Sequence, residues 1–344
     1  MQLSIDLTGR DVLVTGSDFA ARQAVRRYEA AGAVVSRLST PQGAGHDGPL
    51  PERPFLVAAV DDGQTGWEPL LDRCRAAGIP VAAEPAAGRA GHVTLVGGGP
   101  GTGELLTVAA VKALRDADVV FYDRLAPYQE LASLTSAELV DVGKRPGHHK
   151  VSQCDIEKLM VASALEGNNV VRLKGGDPYV FGRGGEEVAS CVAAGVPVRV
   201  ISGVTSAISV PAAAGIPVTH REVSHMFTVV SGHAPLTEKE LTHLAGLGGT
   251  IVVLMGIGTL HHLAAGLRRA GMRADMPMAV VERGYRPGQK TTIAELGTIA
   301  TAAAGCSNPA VLVIGEVVRV AEANRGHAEA EAELDRLAAS LLGS

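Results

Sequence analysis

Residues 172–187 read RLKGGDPYVFGRGGEE and begin inside a predicted buried strand at 170–173. Paired glycines let a ligand approach the backbone closely, and Asp177, just past the strand, can accept hydrogen bonds from an amine or a hydroxyl. A solvated surface loop is the alternative, but loops with so many constrained residue types usually bind something. The segment therefore predicts a ligand-binding loop that follows a strand of an α/β protein.

A second glycine-rich turn, GGGPGTG at 97–103, lies between a predicted strand at 93–96 and a predicted helix at 105–116. Such a turn offers backbone N–H groups to a ligand. It lacks the Lys-Ser/Thr ending of a P-loop, and Thr102 stands where a dinucleotide fingerprint has its third glycine. Taken alone, the turn is equally consistent with a tight connection between strand and helix.

The composition indicates a folded protein of several domains. The chain has 344 residues, of which 46% are hydrophobic and 19% charged, so it can bury substantial cores. Its net charge of -5 argues against binding to nucleic acid or to an anionic membrane. The four cysteines lie far apart and no signal peptide is recognised, which predicts reduced thiols in the cytoplasm. The histidine pairs at 148–149 and 261–262 have no ligand at suitable spacing, so no metal site is predicted.

Apolar runs and turn residues predict the domain organisation. Residues 1–84 form a small βαβ unit, 85–91 a flexible linker, 92–221 and 222–320 further α/β units, and 321–344 an amphipathic helix. Strands are predicted at 11–15, 33–38, 55–60, 93–96, 118–122, 170–173, 228–230, 250–254, 278–281 and 310–314. Segments at 77–81, 194–198 and 214–218 share a Gly-x-Pro pattern typical of corners where a helix ends before an extended segment.

Nine motifs after residue 91 resemble the uroporphyrinogen-III C-methyltransferase family. They are VTLVGGGPG at 93–101, YDRL at 122–125, VGKR at 142–145, KGGDPYVFGRGGEE at 174–187, GVTSA at 203–207, GIPVTHR at 215–221, MG at 255–256, VERG at 281–284 and NPA at 308–310. The resemblance implies a two-lobed tetrapyrrole methylase fold of the class III methyltransferases, with S-adenosylmethionine held between the lobes of a homodimer. It further implies methylation of uroporphyrinogen III at C2 and C7 to precorrin-2, for siroheme or cobalamin biosynthesis.

By motif position, the resemblance assigns the proton acceptor to Asp123 and the proton donor to Lys144. Methyl transfer from a sulfonium to carbon requires removal of a proton from the tetrapyrrole, which suits a carboxylate at a strand end. A helix cap or a salt bridge to Arg124 is the alternative for Asp123. The resemblance assigns donor contacts to Pro100, Gly175, Gly176, Asp177, Val180, Thr205, Ser206, Met255 and Gly284. Met255 taken alone would more often be a core residue.

Uroporphyrinogen carries several carboxylates, so its site requires concentrated positive charge even in an acidic protein. The run KRPGHHK at 144–150 contains no acidic residue. The candidates for binding the substrate are Arg124, Arg145, Arg183, His220 and Arg221. For His148, His149 and Lys150 a solvated basic loop is an equal alternative.

Residues 1–84 resemble a shortened dehydrogenase/chelatase half of siroheme synthase. Asp18 stands in the turn GSD at 16–18, where its carboxylate would repel a pyrophosphate, although Asp61 and Asp62 keep the acidic pair of that half. We interpret the unit as a vestigial Rossmann-like domain without NAD-dependent oxidation or iron insertion. Three alternatives stay open: an NAD-dependent precorrin-2 dehydrogenase acting through residues 11–62, a protein that only binds tetrapyrrole, and a later precorrin methylase.

Overall fold

The computed structural model describes residues 5–41, 53–86, 91–127, 130–143 and 152–323, and this part of the chain contains three β-sheets. The predicted basic run at 144–150, with Lys144 and Arg145, lies outside the described residues, as does nearly all of the predicted C-terminal helix. Among the described helices, none combines the length and the apolar character that crossing a bilayer requires.

The N-terminal unit consists of β1 (Asp11–Thr15), α1 (Asp18–Ala30), β2 (Val34–Leu38), β3 (Leu56–Asp61), α2 (Glu68–Ala76) and β4 (Val81–Pro85). Its strands are parallel in the order β2-β1-β3-β4. α1 packs on one face of the sheet through Ala24 and Val25, and α2 packs on the other through Leu70 and Leu71. The predicted βαβ unit is present, and β4 extends it where only a corner was predicted at 77–81.

The next unit, the N-lobe, consists of β5 (His92–Gly97), α3 (Val108–Arg115), β6 (Val119–Tyr122), α4 (Leu131–Leu134), β7 (Glu138–Asp141), α5 (Gln153–Leu165), β8 (Asn169–Lys174), α6 (Gly184–Ala193) and β9 (Val198–Ile201). Its five strands are parallel in the order β7-β6-β8-β5-β9. Leu95 of β5 faces a core with Met160 of α5, and Val96 faces a second core with Leu114 of α3. Both faces of the central strands are therefore buried, which explains their continuous apolar runs.

The last unit, the C-lobe, consists of α7 (Ser206–Ala213), β10 (Phe227–Ser231), α8 (Glu238–Leu247), β11 (Thr250–Leu254), α9 (Leu260–Arg269), β12 (Pro277–Glu282), β13 (Lys290–Glu295), α10 (Ile299–Ala302) and β14 (Ala310–Ile314). The sheet order is β10-β11-β14-β12-β13, with β10 parallel to β11 and β14 antiparallel to both of its neighbours. α7 packs on this sheet, since Ala207 and Val210 share a core with Val252 and Val313. Its packing therefore joins it to the C-lobe, across the domain boundary predicted at residue 221.

The strand directions bring the glycine-rich loops of the N-lobe to one edge of its sheet. Because β5, β6, β8 and β9 are parallel, the loops that follow them all leave its carboxyl edge. In open parallel sheets, ligands bind in the crevice outside that edge. In the C-lobe, β11 and β12 are both antiparallel to β14, so their carboxyl ends, which precede Met255 and Gly284, also share one edge.

The N-terminal unit contacts the N-lobe through α1. The Asp118 side chain, only 1% exposed, lies 3.3 Å from Arg26 Nη1 and 3.7 Å from Arg22 Nε. Its Oδ2 also accepts hydrogen bonds from the Asn169 N–H at 2.8 Å and from Gln23 Nε2 at 3.4 Å. A buried carboxylate with several donors is well compensated, so this contact docks the unit just before β6, the strand that leads to Asp123.

Candidate active site

Glycine-rich loops interlock backbone to backbone at the carboxyl edge of the N-lobe sheet. The Gly99 N–H donates to the Gly176 carbonyl at 3.2 Å, and the Gly176 N–H donates to the Gly99 carbonyl at 2.6 Å. A Cβ at Gly97 would overlap the backbone of Gly203. The glycine pattern predicts that a ligand approaches the backbone closely. In the structure, several of these glycines instead allow the backbones of neighbouring loops to contact each other. The loops after β5, β8 and β9 therefore form one connected surface.

Asp177 joins two of these loops. Its Oδ1 accepts a hydrogen bond from the Tyr179 N–H at 2.8 Å, and its Oδ2 accepts one from the Gly203 N–H at 3.1 Å. A carboxylate that accepts two backbone N–H groups orders the chain around it, as in an Asx turn. The carboxylate that was expected to contact a donor molecule thus also holds the loop after β8 to the loop after β9.

Asp123 follows β6 directly, and its side chain is 28% exposed. Its Oδ1 accepts hydrogen bonds from the N–H groups of Leu125 at 3.0 Å and Ala126 at 3.2 Å. Its Oδ2 lies 3.6 Å from Arg172 Nη2. The alternative of a helix cap or a salt bridge to Arg124 is not what the structure shows, because Asp123 orders a turn at 124–126 and not a helix, and its ion pair is formed with Arg172. One oxygen is fixed by the backbone while the carboxylate keeps contact with solvent, as a proton acceptor requires.

Beneath Asp123 lies a buried cluster of charged side chains, Arg172, Lys174 and Glu187. Glu187 is fully buried, and its Oε1 accepts hydrogen bonds from Arg172 Nε at 3.1 Å, Lys174 Nζ at 2.9 Å and Gln153 Nε2 at 3.2 Å. Burial and the neighbouring Arg172 lower the pKa of Lys174, while Glu187 acts in the opposite direction. Sequence reasoning gave Arg172, Lys174 and Glu187 no role. Arg172 inside the predicted buried strand at 170–173, with Lys174 directly after it, was the signal that could have revealed the cluster.

The C-lobe contributes residues from the ends of β11 and β12. Met255 is 42% exposed with a φ of 59°, so it is a strained surface residue and not part of the core. Gly284 is buried, and a Cβ there would lie 2.8 Å from the side chain of Val210 on α7. Thr205 caps α7 by accepting the Ala207 N–H at 3.3 Å. The C-lobe also reaches the N-lobe loops directly, because Arg286 Nε donates to the Pro100 carbonyl at 3.3 Å.

The predicted substrate-binding residues within the described ranges, Arg124, Arg183, His220 and Arg221, are all exposed. Arg183 donates to both carboxylate oxygens of Glu186, at 2.9 and 2.6 Å, and these bonds raise the pKa of Arg183. Arg124 is exposed beside Asp123. His220 and Arg221 are exposed between α7 and β10, and the Nδ1 of His220 lies 2.7 Å from the Arg221 carbonyl oxygen, a contact local to that segment.

No group of three or more His, Cys, Asp or Glu side chains within the described ranges is arranged as metal ligands are. Of the predicted donor contacts, Pro100, Gly175, Gly176, Asp177, Val180 and Thr205 lie on the connected loops, Ser206 begins α7, and Met255 and Gly284 follow β11 and β12 of the C-lobe. Lys144 and Arg145 lie outside the described residues.

The arrangement of two lobes around these loops agrees with a family match. The model described as "Tetrapyrrole (Corrin/Porphyrin) Methylases" matches residues 92–300, which begin at β5. The chain belongs to the tetrapyrrole methylase family. The expected two-lobed α/β fold of that family is confirmed, and the methylase region comprises the N-lobe and the C-lobe.

Individual tetrapyrrole methylases are similar over almost their whole length. The chain is 47% identical over 240 residues to the S-adenosyl-L-methionine-dependent uroporphyrinogen III methyltransferase of Methanosarcina barkeri, covering 68% of this chain and 94% of that protein. It is 47% identical over 236 residues to the uroporphyrinogen-III C-methyltransferase of Methanocaldococcus jannaschii, covering 67% and 98%. The crystal structure of uroporphyrin-III C-methyl transferase from Thermus thermophilus, complexed with S-adenyl homocysteine, matches with a TM-score of 0.58 and 42% identity, covering 67% and 100%.

Proposed function

We propose that this tetrapyrrole methylase is an S-adenosylmethionine-dependent uroporphyrinogen-III C-methyltransferase. It methylates uroporphyrinogen III at C2 and C7 to precorrin-2, in siroheme or cobalamin biosynthesis. The observation that carries the proposal is the position of Asp123 on β6, fixed by the backbone and by Arg172, beside the interlocked loops at the carboxyl edge. Relatives bearing this activity in their names match the whole methylase region at 47% identity.

The loops around Gly176 fit S-adenosylmethionine. Gly176 has a φ of +68°, and a Cβ built there would stand 3.7 Å from Ser206 Oγ, its nearest neighbour, which is ordinary van der Waals contact without a clash. Backbone groups at such a position can approach a ligand closely. S-adenosylmethionine, when bound, supplies an electrophilic methyl group. Pro100, Gly175, Asp177, Val180 and Thr205 would hold it from the N-lobe loops and α7, with Met255 and Gly284 on the C-lobe side.

Residues of the chain then carry out the proton transfers that accompany methylation. A carbon–carbon bond forms at the tetrapyrrole carbon as a carbon–sulfur bond breaks, and the ring must lose a proton to restore its conjugation. Asp123 accepts that proton through its solvent-facing carboxylate, and Arg172 holds the carboxylate in place. Lys144 is the proposed proton donor, and any proton that it returns to the tetrapyrrole is matched by loss of a second proton from the ring, so that each methyl transfer releases one proton in all.

Positive side chains around the cleft bind the carboxylates of the substrate. Arg124 and Arg183 are exposed on loops that follow β6 and β8, and His220 and Arg221 lie on the segment before β10. Arg183 forms a two-pronged pair with Glu186, so a substrate carboxylate would replace the Glu186 carboxylate on its guanidinium. Arg145 completes the proposed set.

The N-terminal unit is proposed to lack nucleotide chemistry. Asp62 Oδ2 accepts the Ser17 N–H at 2.7 Å in the glycine-rich turn, where a pyrophosphate would need that N–H. Asp18 in the same turn forms an ion pair with Arg37 and accepts a hydrogen bond from Ser39 Oγ at 2.7 Å. The Asp62 carboxylate therefore takes an N–H that a dinucleotide phosphate would need, and the exposed Asp18 carboxylate adds negative charge to the turn. The active form is proposed to be a cytoplasmic homodimer.

Incubation of the purified protein with uroporphyrinogen III and S-adenosylmethionine tests the function. We expect mass spectrometry to show a product that has gained two methyl groups, together with an equivalent amount of S-adenosylhomocysteine. The Asp123→Asn variant is the matched control. Methyl transfer to a later precorrin but not to uroporphyrinogen III would instead identify a later precorrin methylase, and tetrapyrrole binding without transfer would identify a binding protein.

A further inference from the structure

One arginine of the C-lobe donates to backbone carbonyls of two different N-lobe loops. The Arg286 guanidinium reaches the Leu125 carbonyl oxygen at 2.6 Å through Nη2, the Pro100 carbonyl oxygen at 3.3 Å through Nε, and the Arg124 carbonyl oxygen at 3.5 Å through Nη1. Pro100 belongs to the loop after β5, which we name the donor loop (98–103). Arg124 and Leu125 belong to the loop after β6, the acceptor loop (123–127), which carries Asp123.

The N-lobe is shaped to receive this side chain. Gly101 has a φ of +117°, and a Cβ at this position would overlap the guanidinium of Arg286. The donor loop therefore leaves a gap that the guanidinium fills. A planar guanidinium presents its N–H donors in a fixed fork, so it can bind carbonyls of two loops at once, whereas a lysine ammonium is a single point charge.

The segment that bears Arg286 is itself anchored to the C-lobe on both sides. The Arg283 N–H donates to the Pro309 carbonyl at 2.9 Å, and Gln289 Nε2 donates to the Ala213 carbonyl of α7 at 2.9 Å. Gln289 Oε1 accepts the Tyr285 N–H at 2.9 Å. Arg283 and Tyr285 have φ angles of 50° and 60°, a strained conformation that surrounding contacts must maintain. A displacement of this segment would therefore be transmitted to both N-lobe loops.

We propose that Arg286 is a positioning residue that fixes the donor loop and the acceptor loop relative to each other across the two lobes. The inference rests on the proposed function, because it places one methyl-donor contact, Pro100, on one loop and the proton acceptor, Asp123, on the other. Arg286 acts through the backbones of these loops and not on the reacting atoms. Its removal should disturb alignment in the bound complex while leaving most donor contacts in place, since those of Gly175, Gly176 and Asp177 are made by another loop.

The first test compares Arg286→Gln and Arg286→Lys with Arg268→Gln, which alters an exposed arginine of α9 away from both loops. Misplacement of reacting groups by about 1 Å can reduce a rate by about 100-fold, so we expect kcat of Arg286→Gln to fall roughly 10- to 100-fold. Arg286→Lys should recover only part of this loss, and Arg268→Gln should match the parent. The Kd for S-adenosylmethionine, measured by calorimetry, should change by less than about threefold in all three.

The second test measures hydrogen exchange of the loop amides in the absence of substrate. The Gly98 N–H donates to the Lys174 carbonyl at 2.7 Å and the Ala126 N–H donates to the Asp123 carbonyl at 3.1 Å, so both amides should be protected from hydrogen exchange. In Arg286→Gln, amides of the donor and acceptor loops should exchange faster, with α9 unchanged. This measurement still tests the positioning role if the parent proves inactive on uroporphyrinogen III, in which case only the proposed function fails.

Three results would overturn the proposal. The first is a kcat of Arg286→Gln within twofold of the parent. The second is a Kd for S-adenosylmethionine raised well beyond threefold in Arg286→Gln, which would make Arg286 a donor-binding residue. The third is exchange that rises equally in both loops and in α9, which would indicate a general loss of stability.

Discussion

Replacing Glu187 by Gln should destabilise the N-lobe, whereas the same change at the adjacent Glu186 should not. Glu187 is fully buried between Arg172 and Lys174, at 3.1 and 2.9 Å. Glu186 pairs with Arg183 on the surface, where both side chains are more than half exposed at 53% and 54%. The two variants remove the same charge from neighbouring positions of α6, so they separate burial from every other property of the substitution.

The expected loss of stability in Glu187→Gln follows from the buried positive charges that would remain. Breaking a buried ion pair by removing one partner typically destabilises a protein by about 3–5 kcal/mol, because a buried charge is left uncompensated. After Glu187→Gln, the buried Arg172 and Lys174 would keep only Asp123 as a carboxylate, 3.6 Å from Arg172 and 28% exposed. The amide oxygen of Gln can still accept one hydrogen bond, so we expect a loss near the lower end, about 3 kcal/mol. Exposed pairs such as that of Glu186 often contribute nothing measurable.

Native-state hydrogen exchange is the suitable assay, because a chain with three sheets need not unfold in a single transition. A loss of about 3 kcal/mol should make the amides of β6 and β8 exchange roughly 100-fold faster, since each 1.4 kcal/mol corresponds to a factor of ten. Amides of β1 and β3 in the N-terminal unit serve as an internal control. Equal behaviour of the two variants, or acceleration in β8 of less than about fivefold for Glu187→Gln, would refute the assignment of Glu187 as a buried counter-ion.

Four further outcomes are expected. Asp123→Asn should lower kcat by about 100- to 10,000-fold while donor binding, measured by calorimetry, persists; turnover within a few-fold of the parent would make Asp123 structural. The pKa of Lys174 is lowered in the folded protein from its ordinary value of 10.5. At pH values between the lowered pKa and 10.5, the unfolded chain therefore binds more protons than the folded chain. The stability of the parent relative to Lys174→Met should therefore rise with pH across that window in urea unfolding, and parallel curves would contradict this. A protein beginning at Gly91 should keep methyltransferase activity but melt a few degrees lower, since Asp118 loses its contacts with Arg22 and Arg26. The intact chain should form no NADH from NAD and precorrin-2. Formation of NADH would restore the dehydrogenase alternative.

Every strand that sequence patterns missed lies at a sheet edge, whereas the predicted strands include all of the central ones together with the edge strands β2 and β10. β1, β5, β8, β11, β12 and β14 are central, buried on both faces and visible as apolar runs. β7 and β13 were not predicted, and β4 and β9 were anticipated only as extended segments after a corner. All four lie at sheet edges, where partial exposure permits polar residues and weakens the apolar pattern. The third corner, at 214–218, ends α7 as expected, but no strand follows it directly.

What the sequence by itself determined is local: the α/β class, the central strands, the glycine-rich turns and the order of motifs that identifies the family. These depend on residue type and short spacing, so a single chain read in order contains them. Only the tertiary structure decided which charges meet. Glu187 accepts a hydrogen bond from Arg172, which lies 15 positions away in the sequence, and Asp118 accepts one from Arg26, 92 positions away. The Pro100 carbonyl accepts one from Arg286, 186 positions away. Such pairings are set by sheet order and lobe packing, which bring together residues whose separation along the chain carries no periodic signal.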